Sequence, residues 1–268
     1  MQMEPPITNA TCGSTRPKVS VALPTYNERE SIRECIDGFF ATGVVDEVVV
    51  CNNNAAPGTS KEVSGTKARE VYETRQGYGW SCRKAMSEAT GDLLILSEPD
   101  GSFDPVDVFK LLAYARDFDV VLGSRTNREL IWTGANMGWF MKWGNWAVAK
   151  YMEVLFNMTA LTDVGCTMRL LSREVWERIE PHITVGGSHF GPEMMMLCIL
   201  SGARVVEIPL NYKQRVGQSM VTGNRWAAFA LGLRMIWMIS AFRIRTWFGL
   251  GPGLLRGGLR SRRPFPFA

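Results

Sequence analysis

The chain has 268 residues, and 46% of them are hydrophobic, which is enough to form one sizeable α/β domain. Its formal net charge of +4 is too small to indicate a nucleic-acid-binding surface, so we expect no nucleic-acid partner. The 6 cysteines show no paired spacing, and Cys51, Cys166 and Cys198 lie among apolar residues, which favours buried thiols in a reducing compartment.

Strands and helices alternate along the first half of the chain. We predict strands at residues 19–24, 47–51 and 93–96, and a further strand and turn at residues 119–125. Helical stretches are predicted over about residues 29–40 and from about residue 75 to just before residue 91. Because such alternation is typical of α/β proteins, the sequence predicts a mostly parallel sheet with helices on both faces.

Two carboxylates, Glu98 and Asp100, follow directly on the predicted strand at residues 93–96. In open α/β sheets, ligands bind outside the carboxyl ends of the strands. Two acids at such an edge suit a divalent cation that keeps positions free for substrate phosphates. The alternative is a solvated acidic turn, and the pair alone does not decide between the two.

Six short motifs occur in order along about residues 18–222. They are Pro24-Thr-Tyr-Asn-Glu28, Asn52-Asn-Asn-Ala-Ala-Pro-Gly58-Thr, Glu98-Pro-Asp100, Gly123-Ser-Arg125, Asp163-Val-Gly-Cys-Thr-Met-Arg169, and Glu207-Ile-Pro209 with Arg215-Val-Gly217-Gln-Ser219. Together they resemble the family 2 glycosyltransferases with the GT-A fold, close to the polyprenyl-phosphate sugar transferases of the dolichyl-phosphate mannosyltransferase type. The resemblance implies a metal-dependent, inverting transfer of a sugar from a nucleotide-diphosphate donor to a polyprenyl phosphate.

The resemblance also assigns roles to individual residues. It implies that Glu98, Asp100 and Ser102 hold Mg²⁺ or Mn²⁺, both of which accept oxygen ligands. It implies that a GDP- or UDP-sugar is contacted by Pro24, Tyr26, Glu28, Asn52, Asn53, Gly77 and Asp100. Catalytic roles fall to Asp163, Arg125 and Arg215. The resemblance further implies that Arg125, Arg215 and Ser219 hold the acceptor phosphate. Arginine suits this role because its fork binds phosphate oxygens in pairs.

Departures from the family pattern leave the nucleotide and the sugar open; they lie at Asn52, Asn53, Glu98, Met220 and Thr167-Met168. Asn52 and Asn53 stand where the family usually has aspartates, so each side chain offers a donor as well as acceptors. Glu98 replaces the first metal-binding aspartate and is one methylene longer.

The role of Asp163 depends on the acceptor. A lipid phosphate is already ionised, so Asp163 would position the phosphate or a basic neighbour. A hydroxyl acceptor would need Asp163 as a general base. Glu193 is the rival candidate, and it could instead be a structural acid that holds Arg215.

The C-terminal stretch 226–248 is rich in aromatic and aliphatic residues but is interrupted by Arg234, Arg243 and Arg245. Its uncharged runs are well short of the roughly 20 residues that a spanning helix needs. This stretch fits three alternatives: an interfacial helix, a helix packed on the catalytic domain, or a contact in a homo-oligomer. Arginines in the tail 251–268, with no acid among them, suit an anionic membrane surface, and a solvated, disordered tail fits the tail alone equally well. The helical stretch 137–156, with Trp143, is either acceptor-facing or an ordinary core helix.

We therefore expect four segments: a loose arm at 1–17 without a signal peptide, a GT-A domain at 18–222, an apolar interfacial or packing helix at 223–250, and a basic tail at 251–268. The leading expectation is a transferase bound peripherally at the cytoplasmic face of the membrane. A soluble family 2 transferase with a hydroxyl acceptor and a non-catalytic nucleotide- or partner-binding GT-A domain stay open.

Overall fold

A seven-stranded sheet forms the centre of the protein. The computed structural model describes residues 16–132, 135, 139–157, 160–217 and 225–249. The strands are β1 (Val19–Thr25), β2 (Glu47–Asn52), β3 (Arg69–Tyr72), β4 (Leu93–Leu96), β5 (Val120–Ser124), β6 (Arg169–Ser172) and β7 (Val205–Pro209). The helices are α1 (Ile32–Ala41), α2 (Thr59–Ser64), α3 (Tyr78–Glu88), α4 (Val108–Tyr114), α5 (Trp139–Phe156), α6 (Arg173–Ile179), α7 (Phe190–Leu200) and α8 (Arg225–Trp247).

The sheet has the order β3-β2-β1-β4-β6-β5-β7, and six of its seven strands run in the same direction. Among the described strands, β6 alone runs in the opposite direction, and it pairs antiparallel with both β4 and β5. The prediction of a mostly parallel sheet is confirmed. The carboxyl ends of β1, β2, β4 and β5 therefore meet the amino end of β6 at one edge.

Each face of the sheet carries its own apolar core. Strand β1 is buried along its whole length, and its side chains alternate, with Ala22 in one core and Val21 and Leu23 in the other. Helices α3, α6 and α7 contribute to the first core, and helices α1 and α4 to the second. Strands buried on both faces are the usual result of helical crossovers, so the prediction of helices on both faces is also confirmed.

Helices α5 and α8 pack against each other at the outer side of the first core. The Tyr151 hydroxyl lies 2.7 Å from the Ser240 hydroxyl, and the Arg243 guanidinium stacks 5.4 Å from the centre of the Phe156 ring. One face of α8 is thereby buried, whereas Trp237 on the other face is 74% exposed. The predicted apolar helix at 223–250 thus packs on the domain and also presents aromatic side chains to solvent.

No helix in the described ranges has the length and apolar character needed to cross a membrane. Residues 1–15 of the predicted arm and the whole predicted tail at 251–268 lie outside the described residues.

Candidate active site

The predicted metal-binding residues lie together in a tight turn after β4. Asp100 is buried, and its Oδ1 accepts hydrogen bonds from the backbone N (2.9 Å) and the Oγ (2.5 Å) of Ser102. Gly101 has a φ of +75°, a left-handed conformation that glycine adopts readily, and it lets the chain return Ser102 onto Asp100. The orientation of the Asp100 carboxylate is therefore fixed by its own turn.

Arg215 reaches this turn from the segment that follows β7. Its Nε lies 2.9 Å from Asp100 Oδ2, and its Nη2 lies 3.7 Å from Glu98 Oε2 and 3.8 Å from Glu28 Oε1. The backbone holds the two segments together, since Val216 N donates to the carbonyl oxygen of Asp100 at 2.8 Å. One arginine thus faces three carboxylates.

The negative charges of Glu98 and Asp100 disfavour each other. Burial, followed by the negative charge of Asp100, raises the pKa of Glu98 well above its usual range, and the nearby Arg215 offsets only part of this. Two carboxylates this close are stabilised in their charged forms by an added positive ion. The local electrostatics therefore favour cation binding.

The side chains at this edge fit a hard divalent cation. They offer carboxylate oxygens from Glu98 and Asp100 and a hydroxyl from Ser102, which are the ligand types that Mg²⁺ and Mn²⁺ accept. Within the described residues there is no cluster of three or more acidic, histidine or cysteine side chains arranged as a complete metal cage. A metal here would need further oxygens from a substrate or water, which is usual for Mg²⁺.

Asp163, which is buried, and Arg125, which is largely buried, form a bidentate ion pair next to the acidic turn. Arg125 Nε lies 2.8 Å from Asp163 Oδ2, and Nη2 lies 2.9 Å from Oδ1. The backbone N–H groups of Arg125 and Gly165 also donate to the carboxylate, at 3.0 and 2.9 Å. Burial by itself raises the pKa of Asp163, but the charge and hydrogen bonds of Arg125 outweigh it, so the pKa lies below its usual value.

Two residues without an assigned role in the sequence prediction support this ion pair. Glu207 on β7 accepts hydrogen bonds from the backbone N of Thr162 (2.7 Å) and of Asp163 (2.9 Å), which fixes the loop before β6. The ring of Tyr212 lies 5.2 Å below the Arg125 guanidinium. The Glu207 motif was visible in the sequence, but its hydrogen-bond partners depend on β7 lying beside β5.

The turn after β1 is organised by Glu28. Its Oε2 accepts hydrogen bonds from the backbone N of Tyr26 (2.7 Å) and of Asn27 (3.0 Å). Pro24, which has no N–H, lies beyond Ala22, the last β1 residue that pairs with β4. Glu28 therefore shapes the turn with one oxygen and faces Arg215 with the other.

The amide groups of Asn52 and Asn53 are engaged within the fold. Asn52 Nδ2 donates to Glu70 Oε1 at 2.9 Å, and its Oδ1 accepts from Ala55 N at 2.9 Å. Asn53 Nδ2 donates to the Glu73 carbonyl at 2.7 Å. These contacts hold the turn after β2, and a direct contact with a nucleotide base stays a prediction.

Gly77 lies where the fold leaves no room for a side chain. Its N donates to Asn53 Oδ1 at 2.9 Å, and its φ is +151°. A Cβ on Gly77 would lie 2.3 Å from the carbonyl oxygen of Gly186. Gly77 is therefore needed for the close approach of the 77–79 and 185–186 segments.

Glu193, the rival candidate of the sequence analysis, is held by hydrogen bonds within the fold. It is fully buried in α7 and accepts hydrogen bonds from Thr184 Oγ1 (2.6 Å) and Val185 N (2.9 Å). The alternative that it holds Arg215 is wrong, because the ion pairs of Arg215 are those with Asp100, Glu98 and Glu28. The predicted phosphate ligand Ser219 lies outside the described residues.

Helix α5 reaches the same region with two polar side chains. Lys142 Nζ donates to the carbonyl oxygen of Thr126 at 2.9 Å. A Cβ on Gly165 would lie 2.7 Å from Asn145 Nδ2 and 2.8 Å from Arg125 Nη2, so both side chains lie close to this glycine. The amino-terminal half of α5 therefore borders the Arg125–Asp163 pair.

Comparisons with known proteins agree with this geometry. Residues 20–180 match the family model described as glycosyl transferase family 2. The hexosyltransferase Agl6 of low-salt glycan biosynthesis in Haloferax volcanii is 28% identical over 210 residues, which cover 76% of this chain and 49% of that protein. The undecaprenyl-phosphate mannosyltransferase of Micrococcus luteus is 25% identical over 242 residues, which cover 80% of this chain and 95% of that protein. The chain thus spans about half the length of Agl6.

The fold also matches a solved structure. Glucosyl-3-phosphoglycerate synthase of Mycobacterium tuberculosis, in complex with Mn²⁺, UDP and glucosyl-3-phosphoglycerate, superposes with a TM-score of 0.62 at 14% identity, covering 88% of this chain and 82% of that one. This likeness establishes the architecture, and the family model covers more than half of the sequence. The chain belongs to glycosyl transferase family 2 and is a glycosyltransferase with the GT-A fold.

Proposed function

We propose that this protein is a metal-dependent, inverting hexosyltransferase that moves a sugar from a UDP- or GDP-sugar to a polyprenyl phosphate at a membrane surface. The Micrococcus relative, named for transfer to undecaprenyl phosphate, supports this acceptor class. The solved Mycobacterium structure with Mn²⁺ and UDP supports a divalent metal and a nucleotide-sugar donor.

The ion pair and hydrogen bonds of the Asp163 carboxylate are the observation that favours a phosphate acceptor over a hydroxyl acceptor. Its two oxygens accept from Arg125 Nε and Nη2 and from two backbone N–H groups, and its pKa is lowered. A hydroxyl acceptor loses a proton as it attacks and needs a base with a pKa near the working pH. A lipid phosphate is ionised already. A carboxylate bound in this way suits a phosphate acceptor, with Asp163 positioning Arg125.

The donor end of the site is formed by Glu98, Asp100 and Arg215. A divalent metal bound to the two acids would supply the charge that neutralises the leaving diphosphate. Arg215, from the same edge, would hold phosphate oxygens through its planar fork. The turns after β1 and β2, which contain Tyr26 and Asn53, flank the acids and would receive the base and ribose.

The exposed aromatic side chains of α5 and α8 support a peripheral membrane location. Trp143, Trp237 and Trp247 are 60%, 74% and 65% exposed, and aromatic side chains of this kind favour the membrane interface. The cytoplasmic face is the proposed side, because Cys35, Cys51, Cys82, Cys166 and Cys198 are free thiols, as expected in a reducing compartment.

A donor screen tests the proposal. The full chain would be incubated with a panel of UDP- and GDP-sugars and Mn²⁺ or Mg²⁺. Each reaction would contain a short polyprenyl phosphate, phosphoglycerate or no acceptor, and diphosphate release and the glycosylated product would be measured. Release that depends on the lipid phosphate is the expected result. Transfer to phosphoglycerate without a lipid requirement would favour a soluble hydroxyl-acceptor enzyme. No turnover on the whole panel by folded protein would favour a non-catalytic domain.

A further inference from the structure

Three buried polar atoms near the carboxyl end of β4 make no hydrogen bond within the described part of the chain. They are the hydroxyl of Tyr78, the hydroxyl of Thr167 and the Nε of Arg169. Buried polar groups in folded proteins nearly always have a partner, because an unpaired group loses its hydration without any return. Three unpaired groups at one end of the sheet therefore indicate a ligand that completes them.

The three atoms lie on the same face of the sheet. Arg169 on β6 pairs with Leu96 on β4, whose side chain lies in the first core, and cross-strand partners point to the same face. The residues on either side of Thr167, Cys166 and Met168, lie in the second core, so Thr167 faces the first. Tyr78, in the first turn of α3, packs against the first core as well.

Arg169 supplies a fixed, charged donor in this group. Its Nη1 donates to the carbonyl oxygen of Gly191 on α7 at 3.1 Å, and its Nη2 donates to the carbonyl oxygen of Cys166. These two bonds hold the guanidinium in place, while Nε stays unpaired. A hydrogen bond from a charged donor is stronger than one between neutral groups, so Nε would bind a ligand oxygen well.

The unpaired group borders the acidic turn that is proposed to hold the metal. Glu98 and Thr167 each lie two residues beyond the paired Leu96 and Arg169, which places both at the same end of the two strands. Burial raises the pKa of Tyr78 well above its usual value, and the neighbouring Cys82 and Glu98 add to this. In a nucleotide sugar the hexose is joined to the diphosphate, so a donor bound at this turn would bring its hexose beside these atoms.

We propose that Tyr78, Thr167 and Arg169 form a pocket that binds a hydroxyl group of the donor hexose. A sugar hydroxyl accepts two hydrogen bonds and donates one, which matches Arg169 Nε and the Tyr78 hydroxyl as donors and Thr167 Oγ1 as acceptor. This assignment rests on the proposed nucleotide-sugar donor and adds the residues that select its sugar. Thr167 lies at a departure from the family pattern, so its hydroxyl is a feature of this chain.

An enclosed water molecule is the competing occupant. Buried waters typically make about three hydrogen bonds to groups of this kind. The residues Tyr78, Thr167 and Glu98 are each partly exposed, so the pocket lies close to the open edge of the sheet rather than deep in the core. A ligand that enters from this edge can replace a water there. The location therefore favours a substrate hydroxyl.

Two conservative variants test the pocket, because Thr167→Val and Tyr78→Phe remove a hydroxyl and keep the shape of the side chain. Ser97→Ala is the matched control. Ser97 Oγ is also buried without a partner, but Ser97 follows Leu96 directly and so lies on the opposite face of the sheet. Since the removed hydroxyls are unpaired in the free protein, thermal unfolding should give an unchanged or higher Tm for all three variants.

Calorimetry with Mn²⁺ and no acceptor isolates the contribution of the hexose. UDP-glucose, UDP-galactose and GDP-mannose would be compared with UDP and GDP. We expect wild type to bind one nucleotide sugar more tightly than its nucleotide diphosphate. Thr167→Val and Tyr78→Phe should each weaken that nucleotide sugar by about tenfold, the scale of a buried hydroxyl left without its partner, and should leave UDP and GDP unchanged. Ser97→Ala should bind as wild type.

Monodeoxy analogues of the preferred donor identify the hydroxyl. A site built around a substrate hydroxyl rejects the analogue that lacks it, because the buried groups then stay unpaired. Wild type should therefore discriminate strongly against one analogue, and Thr167→Val and Tyr78→Phe should discriminate much less against the same one. Equal discrimination by wild type and both variants overturns the pocket.

The other outcomes separate the pocket from its alternatives. Unchanged affinity for the nucleotide sugar together with a lower Tm in both variants would assign the hydroxyls to an enclosed water. Equal losses for the nucleotide sugar and the nucleotide diphosphate would show a structural role. Sugar transfer by the same proteins keeps this proposal distinct from the proposed function. Hexose-dependent binding without transfer to polyprenyl phosphate supports the pocket and contradicts the acceptor, whereas transfer that both variants leave unchanged supports the acceptor and contradicts the pocket.

Discussion

The guanidinium of Arg215 lies directly against the carboxylate of Asp100, with 2.9 Å between Nε and Oδ2. Asp100 is also one of the residues that the sequence analysis predicts to bind the metal. Arg215 therefore supplies a positive charge at the position where a divalent cation would be held, so a bound metal and Arg215 would compete for one carboxylate. A metal that binds Asp100 would release Arg215 toward the phosphates of the donor or acceptor.

This competition predicts the effect of Arg215→Gln. We expect the affinity of the protein for Mn²⁺, without donor, to rise roughly two- to fivefold, the scale of a lost, partly exposed ion pair. Sugar transfer should fall, because the phosphates lose their arginine. Electron paramagnetic resonance of free Mn²⁺ measures the first effect. Lys213→Gln is the matched control, because Lys213 lies two residues away and pairs with Asp104 rather than Asp100. Unchanged Mn²⁺ affinity would show that Arg215 does not compete.

The metal itself is tested at Asp100. Asp100→Asn should lower transfer by at least about a hundredfold, because a metal ligand that stabilises the leaving diphosphate is worth several kcal/mol. Excess chelator should have the same effect on wild type. Asp104→Asn, four residues further along the same loop, should keep most activity. Full activity of wild type in excess chelator would falsify the metal assignment.

The ion pair of Asp163 with Arg125 predicts a loss of stability as well as of activity. Asp163→Asn leaves a largely buried arginine without its carboxylate, and breaking a buried pair in this way typically costs up to about 3–5 kcal/mol of unfolding free energy. Transfer should fall strongly, while calorimetry should show little change in nucleotide diphosphate affinity, because the acid pair at Glu98 and Asp100 is intact. The double variant Asp163→Asn/Arg125→Gln should regain stability in urea titrations but not activity. If it regains both, the pair is structural only.

The same ion pair has a predictable pH dependence. The folded-state pKa of Asp163 is depressed, so its contribution to stability is complete above the ordinary aspartate pKa of about 3.9 and is lost as the pH falls through the folded-state value. The stability gap between wild type and Asp163→Asn should thus be widest at neutral pH and should close in acid. Urea titrations from neutral pH down to the acid limit of folding measure it. A gap independent of pH would mean that the Asp163 carboxylate is not the source of the difference.

The strands that the sequence predicted are those with a continuous run of apolar residues. Strands β1, β2, β4 and β5 are buried on both faces, so their hydrophobicity is unbroken and their ends are clear. Strand β3 is a four-residue, partly exposed edge that begins with Arg69, and it carries no such signal. Strand β6 begins with a buried arginine, Arg169, whose hydrogen bonds to the Cys166 and Gly191 carbonyls are made only in the fold.

The sequence predicted which residues lie in the candidate site, but it did not predict which of them contact each other. Motif order placed Glu98, Asp100, Arg125, Asp163 and Arg215 at one edge of the sheet, and they do lie there. Which acid pairs with which arginine depends on the reversed strand β6 and on the path of the segment after β7. Neither property has a local signal in the sequence, because strand direction is set by tertiary pairing.

The last prediction concerns the aromatic surface of α8. We expect the full chain to sediment with anionic liposomes and salt to weaken the association, because exposed tryptophans enter the interface while arginines attract anionic lipids. The double variant Trp237→Ser/Trp247→Ser should reduce the bound fraction several-fold, since both side chains are mostly exposed and its effect on the fold is small. Deletion of residues 251–268 should reduce binding further and remove most of its salt dependence.

Tyr72→Ser, which changes an exposed aromatic on the β3 edge, is the control and should bind as wild type. Binding that is absent at low salt would contradict the membrane location and strengthen the case for a soluble acceptor, whereas salt-sensitive binding that survives the double variant would assign the contact to the arginines alone.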